Sequence, residues 1–428
     1  MSRIKIKNFG PIREGFLEND GWLDIKKVTV LIGDQGSGKS TVAKLVSLFS
    51  WIEKSIARNT ISPNQLNVGI FKNLCLQQEI FEYFSNDTFL SFEGDAYDFE
   101  YDEKHQSFKT KINENGYKYY ILPKIQYVSA ARNLLTILYN ISLQNIVDKN
   151  GNIIDLSSNI PFMVRVLNIE YLKALDVFAK DGFSLPVNDT SVYYQNHNTF
   201  IIAKGKRVAM ASASSGIQSI TPLLLVSHFL SNEVRKDIYE KVKTIDNNLK
   251  SKIENELEKD NSGLSEKFKQ VCSFGKGILT EKEDEKLLDE KLKKYIPSSF
   301  INIVEEPEQN LFPTSQQKVI IRLLEYNNAV KENKLIISTH SPYILTTLNN
   351  SILAAEVFEK TGNTINTYGQ ENRIAFSNVS AYQLEDGKII SITDEETNLI
   401  NADAIDSCSA EINDDFDKLL DLLPDNDD

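Results

Sequence analysis

The sequence contains few of the residues that build disulfide frameworks or rigid turns. Its 428 residues include only 3 cysteines, 11 prolines and 19 glycines. The cysteines, at positions 75, 272 and 408, lie far apart, form no CxxC pair and have no histidine beside them. We therefore expect neither a disulfide framework nor a zinc site, and a reducing compartment fits this composition.

The sequence also lacks a long apolar run and an excess of positive charge. No stretch approaches the roughly 20 apolar residues of a membrane span, and the opening MSRIKIKNFG alternates charged and apolar residues, unlike a signal peptide. We expect a cytoplasmic protein that does not enter a membrane. The formal net charge of −13 disfavours a surface that coats duplex DNA nonspecifically, although it leaves room for a local basic stripe.

The stretch VTVLIGDQGSGKSTVAKLVSLF, from Val28 to Phe49, predicts a phosphate-binding loop between a buried strand and a helix. Its glycines let the backbone curl into a nest of N–H groups for anionic oxygens. Lys39 supplies a charge for the β- and γ-phosphates, and the Ser40 hydroxyl can ligate Mg²⁺. The nucleotide-binding residues predicted here are Gly33, Asp34, Gln35, Gly36, Ser37, Gly38, Lys39, Ser40 and Thr41.

Two carboxylates follow a second apolar run, in FINIVEEPEQNLFP. Glu305 and Glu306 would stand at the carboxyl end of a buried strand, where α/β sheets place their ligands. In a P-loop enzyme the first would hold Mg²⁺ and the second would polarise the attacking water. A pair of glutamates after a strand is more often a solvated strand end, but the P-loop upstream favours the catalytic interpretation.

A third buried run, KLIISTHSPYIL, ends in a histidine. His340 would donate a hydrogen bond to the developing charge on the γ-phosphate. A lone histidine after a strand is usually structural, and its place one α/β unit after Glu306 is what favours a catalytic role. The other histidines have no such setting, and we expect them to be structural: His105, His197 and His228.

A fourth motif, ASASSGIQSITPLLL, opens an apolar helix. Ser214, Ser215 and Gly216 would stand at its first turn, where exposed N–H donors suit an anion. A serine that only caps the helix would explain the same residues without any ligand.

The remaining patterns predict a mixed arrangement of elements. Strand 3–9 is followed, beyond about residue 85, by an antiparallel meander with an Asn-Gly turn at 115–116. Helices are expected over most of 132–182, then a hairpin of 192–202 and 208–211, and then a charged helical hairpin across 231–297. After it the α/β alternation returns, with strands at 300–305 and 334–338 and helices at 313–326 and 342–348.

Together, the four motifs resemble the ABC-class ATPase head shared by SMC, RecF and OLD-type proteins. Within that group they look most like the stand-alone ATPases of bacterial antiphage defence, such as the Septu ATPase PtuA. GDQGSGKST is similar to the Walker A loop, ASSGIQS to the signature motif, INIVEEPEQNLFP to Walker B with its D-loop, and STHSPYIL to the switch-histidine segment. The fold this implies is an α/β ABC-type head, with a P-loop core sheet, an antiparallel β subdomain and a helical insertion.

The resemblance also implies a mechanism and further site residues. Two copies would sandwich two ATP molecules with Mg²⁺, each bound by the Walker A loop of one copy and by the signature motif of the other, including Gln218. Hydrolysis through Glu306 would release the pair. IQYVSAARNLL resembles the strand-then-arginine element of the defence ATPases, which makes Arg132 a candidate for nucleotide or partner contact and Gln126 a candidate for the Q-loop glutamine.

Two features depart from the family pattern. Walker B normally begins with aspartate, and the longer Glu305 would shift the carboxylate relative to Mg²⁺. The charged insertion separates the signature motif from Walker B, and the long coiled coil of SMC proteins is missing. The expected units are an N-terminal lobe at 1–130, a helical lobe at 131–230, the insertion at 231–298, a C-terminal lobe at 299–392 and an acidic segment with a short amphipathic helix at 393–428.

Three functions stay open at this point. The favoured one is an ATPase of an antiphage system whose ATP state gates a partner nuclease of HNH type, with nucleic acid bound through the complex. Too few residues follow His340 for the Toprim nuclease domain of OLD proteins, so the chain itself is not expected to be a nuclease. The insertion and residues 416–423 are candidate docking surfaces for the partner. The alternatives are a RecF- or SMC-like DNA repair ATPase without a nuclease and a small-molecule nucleotide kinase, although the chain shows no arginine-rich lid.

Overall fold

The computed structural model describes residues 2–138, 146–147, 153–154, 160–259, 263–275, 279 and 282–401. The α-helices in these ranges are α1 Lys39–Ala57, α2 Val68–Gln77, α3 Glu114–Lys118, α4 Leu134–Leu138, α5 Phe162–Phe178, α6 Ser215–Arg235, α7 Ile238–Thr244, α8 Asn247–Lys259, α9 Leu264–Phe274, α10 Lys282–Leu292, α11 Pro313–Asn328 and α12 Pro342–Thr361.

The strands in the same ranges are β1 Ser2–Phe9, β2 Gly15–Phe16, β3 Leu23–Ile25, β4 Val28–Gly33, β5 Phe84–Glu93, β6 Tyr97–Asp102, β7 Ser107–Ile112, β8 Pro123–Val128, β9 Ile146–Val147, β10 Ile153–Ile154, β11 Phe183–Leu185, β12 Thr190–Gln195, β13 Asn198–Ala203, β14 Lys206–Ala209, β15 Ser299–Glu305, β16 Lys334–Thr339, β17 Val379–Glu385, β18 Lys388–Ser391, β19 Thr393–Asp394 and β20 Leu399–Ile400. Together they give the mixed α/β class that the sequence predicts.

A seven-stranded sheet in the order β2-β18-β17-β4-β16-β15-β8 forms the centre of the fold. Strands β17, β4, β16, β15 and β8 run parallel to one another. Their residues are mostly apolar and mostly buried on both faces, as expected of parallel strands covered on each side. Because the carboxyl ends of parallel strands meet at the same edge, the loops that follow β4, β16, β15 and β8 lie side by side.

A second sheet, in the antiparallel order β3-β1-β5-β6-β7, packs on the P-loop helix. Helix α1 is buried between this sheet and the central one, and Phe49 on α1 stacks on Phe92 of β5 with ring centroids 5.3 Å apart. Strands β5, β6 and β7 confirm the predicted meander. This is the antiparallel β subdomain expected of an ABC-type head.

The predicted end of that meander is wrong. Residues 115–116 lie inside α3 rather than in a hairpin turn, because the Asn113 side chain caps this helix by accepting a hydrogen bond from the Gly116 N–H at 3.1 Å. The following strand, β8, leaves the antiparallel sheet and pairs in parallel with β15. Pairing with this fully buried strand gives the apolar residues of β8 a place in the core.

The face of the central sheet opposite α1 is covered by helices α5, α6, α11 and α12. A small antiparallel sheet, β11-β12-β13-β14, adjoins them. The predicted strand 192–202 is itself a hairpin, because Asn196 (φ 50°) and His197 (φ 60°) form a tight turn between β12 and β13. Of the helical stretch predicted at 132–182, α4 and α5 are seen, and two short strands, β9 and β10, interrupt it. Residues 139–145, 148–152 and 155–159 of this stretch lie outside the described residues.

The predicted helical hairpin at 231–297 is a four-helix unit instead. Helices α7, α8, α9 and α10 surround an apolar core of their own that includes Phe268, Leu257 and Leu288. The apolar stripe read from the sequence faces this core, and Gly263 (φ 71°) begins α9 after a break in the helical pattern. Lys241 fixes the unit to the lobes, since its Nζ donates to the carbonyls of Val234 and Pro297, each at 2.9 Å.

The predicted α/β alternation after residue 299 is confirmed. Helix α12 runs much further than expected, to Thr361, because the first helix-ending residue is Gly362 with a φ of 71°. None of the described helices is long and apolar enough to span a bilayer. The amphipathic helix predicted at 416–423 lies outside the described residues.

Candidate nucleotide-binding site

The glycine-rich loop joins β4 to α1, as the sequence predicts. Gly33, Gly36 and Gly38 have φ values of 141°, 76° and 109°, a region that residues with a side chain rarely adopt. A Cβ on Gly33 would lie 2.2 Å from the Leu384 carbonyl oxygen. The loop therefore requires glycine at these positions, and its backbone N–H groups open onto the first turn of α1.

Lys39 lies folded over this loop. Its Nζ donates to the carbonyls of Gly33 and Asp34, each at 2.7 Å, and the residue is only 6% exposed. Burial lowers the pKa of Lys39, and the nearby carboxylates of Glu306 and Asp34 oppose that shift. The Ser37 hydroxyl is buried without a hydrogen-bond partner among the described residues, so the loop holds a cation and a spare donor where a polyphosphate would bind.

Burial varies along the predicted loop. Asp34, Gln35, Gly36 and Ser40 are exposed, whereas Gly38 and Thr41 are buried. Ser40 thus presents its hydroxyl at the open edge of the sheet, while Thr41 begins the buried face of α1.

Glu305 is buried at the end of β15 and is held by two donors. Its Oε1 accepts from the Tyr127 hydroxyl at 2.5 Å, and its Oε2 accepts from the Ala130 N–H at 3.0 Å. The Ser40 hydroxyl lies close enough to the Tyr127 hydroxyl to lower the pKa of Tyr127 in part. Burial, followed by the charge of Glu305, raises the pKa of Tyr127 well above its usual range, so its hydroxyl stays protonated and remains a donor. The sequence analysis did not identify Tyr127 as a site residue. Tyr127 directly follows the proposed Gln126, and neighbouring residues of a strand point to opposite faces of the sheet.

A magnesium ion fits this arrangement. Glu305 accepts from the Tyr127 hydroxyl and Ser40 lies near the same hydroxyl, so an oxygen from the P-loop helix and one from the end of β15 are close together. Mg²⁺ in phosphate-transfer sites takes one or two protein oxygens and completes its shell with phosphates and water. Within the described ranges no group of three or more His, Cys, Asp or Glu side chains has metal-binding geometry. Ser40 and Glu305 are the residues that could hold the ion.

Glu306 and His340 face each other across the ends of neighbouring strands. Glu306 Oε1 lies 4.0 Å from His340 Nε2, and about a third of each side chain is exposed, 38% and 32%. Glu306 has a φ of 44°, which is unusual for a residue with a side chain, and its N–H donates to the Ser338 carbonyl at 2.8 Å. The strained backbone holds the carboxylate at the open edge of the sheet, where a γ-phosphate and its attacking water would lie.

Glu308 positions the histidine segment. Its Oε1 accepts from the Thr339 hydroxyl and from the His340 N–H, both at 2.8 Å. Burial raises the pKa of Glu308, although these hydrogen bonds oppose the shift. The sequence motif contained Glu308, but only the structure shows that it connects the loop after β15 to the loop after β16.

The serines of the fourth motif are exposed at the start of α6. Ser214 occupies the capping position but its side chain makes no capping hydrogen bond, so the interpretation of a simple helix cap is not supported. Gly216 packs against the loop after β15, where a Cβ would lie 2.6 Å from the Asn310 carbonyl oxygen. Ser219, one turn later, donates to Gln309 Oε1 at 3.0 Å. The signature-like turn and the D-loop-like segment therefore form one continuous surface.

Gln218 was predicted to bind nucleotide, and its geometry indicates a different role. The residue is 8% exposed, and its Nε2 donates to the carbonyls of Met210, Ala211 and Ala213 at 3.2, 3.0 and 3.1 Å. Its amide thus holds the turn that precedes Ser214, and it positions the serines rather than facing a ligand.

Gln126 is also not at the expected place. It is 2% exposed within β8, before the strand ends, and its Nε2 donates to the Tyr127 carbonyl at 3.0 Å. This burial does not place Gln126 at the open edge of the sheet, where the Q-loop prediction expected it, and Tyr127 is the residue of β8 that reaches the carboxylate of Glu305.

Arg132 is fully buried and binds only backbone carbonyls. Its guanidinium donates to Glu305 O at 2.6 Å, Glu306 O at 2.7 Å, Ser219 O at 3.1 Å and Ser129 O at 3.2 Å. Burial lowers the pKa of Arg132 to about 10, so it stays charged at neutral pH. The predicted nucleotide or partner contact is wrong: Arg132 joins the Walker B-like strand end to helix α6.

A polar cavity of about 620 Å³ adjoins the phosphate-binding loop. Arg13, Gln35, Gly36, Glu385 and Asp386 are among the residues that line it. The turn between β17 and β18 forms its far wall, so this cavity extends the site along the same edge of the central sheet.

Comparison with known proteins gives similar structures but no sequence family. No family model matches the sequence, and no curated protein matches it. One similar solved structure is described as the SmcHead bound to the C-winged helix domain of ScpA, with 10% identity, a TM-score of 0.37 and coverage of 92% of this chain and 98% of that one. Another is a dimeric post-hydrolysis state of the ATP-binding cassette MJ0796 bound to ADP and Pi, with 10% identity, a TM-score of 0.27 and coverage of 91% and 96%. Both TM-scores are low, so the fold is described from its own strand order and loop geometry.

Proposed function

We propose that this chain is an ATPase of ABC type that binds and hydrolyses ATP between two copies of itself. The observation that carries the proposal is the convergence of three strand ends at one sheet edge. The loop after β4 brings Lys39, the end of β15 brings Glu305 and Glu306, and the loop after β16 brings His340. These groups bind phosphate, hold a metal, orient water and donate to a developing charge.

Each residue has a distinct task in this scheme. Lys39 and the loop N–H groups bind the β- and γ-phosphates, and Ser40 and Glu305 hold Mg²⁺, which would neutralise charge on the phosphates when bound. Glu306 accepts a hydrogen bond from the attacking water. His340, at 4.0 Å from Glu306, donates to the γ-phosphate, where one well-placed donor accounts for about 10²–10³ in kcat.

The exposed serines support the pairing of two copies. Ser214 and Ser215 lie beside the loop after β15, and β16 separates β15 from the P-loop strand. Their exposed side chains and the N–H groups of the first turn of α6 suit the γ-phosphate of an ATP held by another copy. ATP would then join two copies, and its hydrolysis would release them.

We further propose that the ATPase belongs to a bacterial antiphage system and regulates a partner nuclease in the cytoplasm. The support is the resemblance of the four motifs to defence ATPases. The four-helix unit α7–α10 has its own core and is a candidate docking surface for the partner.

Turnover measurements on the purified chain test the ATPase proposal. We expect Mg²⁺-dependent release of phosphate from ATP that Lys39→Ala abolishes together with ATP binding. Glu306→Gln should abolish turnover and retain ATP binding. Turnover that survives both substitutions would refute the assignment.

Deletion of residues 409–428 tests whether that segment is the docking surface for the partner. If a coexpressed nuclease copurifies equally well with the shortened chain, the segment is not the docking surface.

A further inference from the structure

The carboxyl end of helix α1 carries a cluster of cations. Lys54 and Arg58 lie one turn apart, and Lys124 lies near the start of β8, on which α1 packs. Lys252 of α8 reaches the same place, since its Nζ donates to the Arg58 carbonyl. We define these four residues as the α1-end cluster.

Acidic partners are scarce around this cluster. In the part of the chain that the structure describes, no carboxylate lies within ion-pair distance of Lys54, Arg58 or Lys124. Two acidic side chains act on the cluster, Glu170 on Lys54 and Glu256 on Lys252. Glu170 Oε1 pairs with Lys173 at 3.0 Å, its Oε2 is buried without a hydrogen-bond partner among the described residues, and Glu256 pairs with Lys259 at 2.8 Å. The Arg58 Nε is buried and makes no hydrogen bond with any described residue.

The electrostatics of Lys54 show that the cations repel one another. Burial, followed by the charges of Lys124 and Arg58, lowers the pKa of Lys54 to about 8, while the charge of Glu170 opposes the shift. Lys124 also acts in the same direction on Lys241. Like charges gathered in a half-buried place raise the free energy of the folded chain unless an anion joins them.

Helix capping explains only part of this arrangement. A cation near a helix C-terminus gains about 0.3–1 kcal/mol from the helix dipole, which accounts for Lys252 at the Arg58 carbonyl and for Lys54 in the last turn of α1. It does not account for Lys124, which is on a strand, or for the unpaired Arg58 Nε. A ligand with several negative charges would account for both.

We propose that the α1-end cluster binds phosphate groups, supplied by a nucleic-acid strand or by a free phosphorylated molecule. Arginine and lysine together suit phosphate, the first through its fork of donors and the second as a point charge. The overall charge of −13 would repel polyanions elsewhere, so binding would be local to this cluster. The inference goes beyond the proposed ATPase and holds whether or not the chain hydrolyses ATP.

Helix α1 connects the cluster to the nucleotide site. Helix α1 begins at Lys39 and ends at Ala57, so Ser40 and Arg58 are about 27 Å apart along one helix at 1.5 Å per residue. The same ligand would contact both α1 and Lys252 of the four-helix unit. Binding would thus couple that unit to the P-loop helix.

Titration of two probes tests the proposal. In a Lys39→Ala background, which removes the phosphate-binding lysine of the P-loop, we would measure binding of a fluorescein-labelled 20-nucleotide single strand and of inorganic tripolyphosphate. Lys54→Gln combined with Lys124→Gln should weaken binding at least ten-fold and reduce the salt slope for the strand by about 1 per cation. Lys318→Gln, an exposed lysine on α11, is the matched control and should stay within two-fold.

The results with the two probes distinguish a nucleic-acid strand from a free phosphorylated molecule as the ligand. If the substitutions affect only the strand, the ligand is a nucleic acid, and if they affect tripolyphosphate as well, phosphate groups suffice. Equal binding by the double variant and the control for both probes would overturn the proposal.

Thermal unfolding gives a second readout: without ligand, Lys124→Gln should raise Tm because it relieves repulsion, whereas a purely structural role for Lys124 predicts a lower Tm.

Discussion

The Tyr127 hydroxyl donates a 2.5 Å hydrogen bond to Glu305 Oε1 from the neighbouring strand. The Ser40 hydroxyl lies close to the same hydroxyl and acts on its pKa. One phenol therefore connects the residue that follows the P-loop lysine to the first carboxylate of the Walker B-like segment. The longer side chain of Glu305, where the family pattern has aspartate, is held in place by this contact and by the Ala130 N–H.

We predict that Tyr127→Phe impairs magnesium-dependent turnover. The change leaves a buried carboxylate with one donor fewer, at a cost of about 1.5–3 kcal/mol for a hydrogen bond to a charged group. We expect a lower Tm and a higher Mg²⁺ concentration at half-maximal ATPase activity. Tyr120→Phe is the matched control, because the Tyr120 hydroxyl is buried without a hydrogen-bond partner among the described residues. Equal effects of the two substitutions would contradict the role given to Tyr127.

Arg132 should be required for the fold more than for nucleotide contact. Arg132→Met would leave the carbonyls of Glu305, Glu306 and Ser219 short of a donor, and we expect at least about 2 kcal/mol of lost stability in chemical denaturation. Arg165→Met, at an exposed position on α5, should change stability little. A variant that loses ATP affinity while retaining wild-type stability would restore the idea of direct nucleotide contact.

Stability should fall as pH rises because of Glu53 on α1. Burial, followed by the nearby Asp95 carboxylate, raises the pKa of Glu53 from 4.5 to about 8. Since the folded pKa is above the unfolded one, the stabilising contribution is complete below about pH 4.5 and disappears as pH rises to about 8. Glu53→Gln keeps an oxygen for the N–H groups of Ala96 and Tyr97 and removes the proton equilibrium.

The free energies of unfolding of wild type and Glu53→Gln should therefore diverge between pH 5 and pH 8, with the wild type losing stability relative to the variant. Exposed Glu395→Gln is the control and should follow the wild type. Parallel curves for wild type and Glu53→Gln would show that Glu53 does not titrate in this range.

Local patterns in the sequence predict the core of the site well. The P-loop, the strand before Glu305 and the strand before His340 each carry their signal within about ten residues, and the structure places them side by side. Tyr127 and Arg132 could not be assigned in this way. Their roles depend on β8 pairing with β15, in which Pro123 lies opposite Ser299 from a distant part of the sequence. The sequence of β8 equally suited the meander.

The helical insertion shows the same limit. Its apolar stripe predicts helices, but whether these form a hairpin or a four-helix unit depends on where the chain reverses. Gly263 begins one of the helices with a left-handed backbone, and the partners that meet around Phe268 come from all four segments. Helical periodicity alone does not contain that information.

The central claim is that ATP joins two copies of this chain, and light scattering after size exclusion tests it most directly. Glu306→Gln with ATP and Mg²⁺ should elute as a dimer or larger assembly, and should be monomeric without nucleotide. Adding Ser215→Arg to that variant should block assembly without weakening ATP binding, since the exposed Ser215 faces the other copy in this account. A Glu306→Gln protein that binds ATP and stays monomeric would contradict the claim.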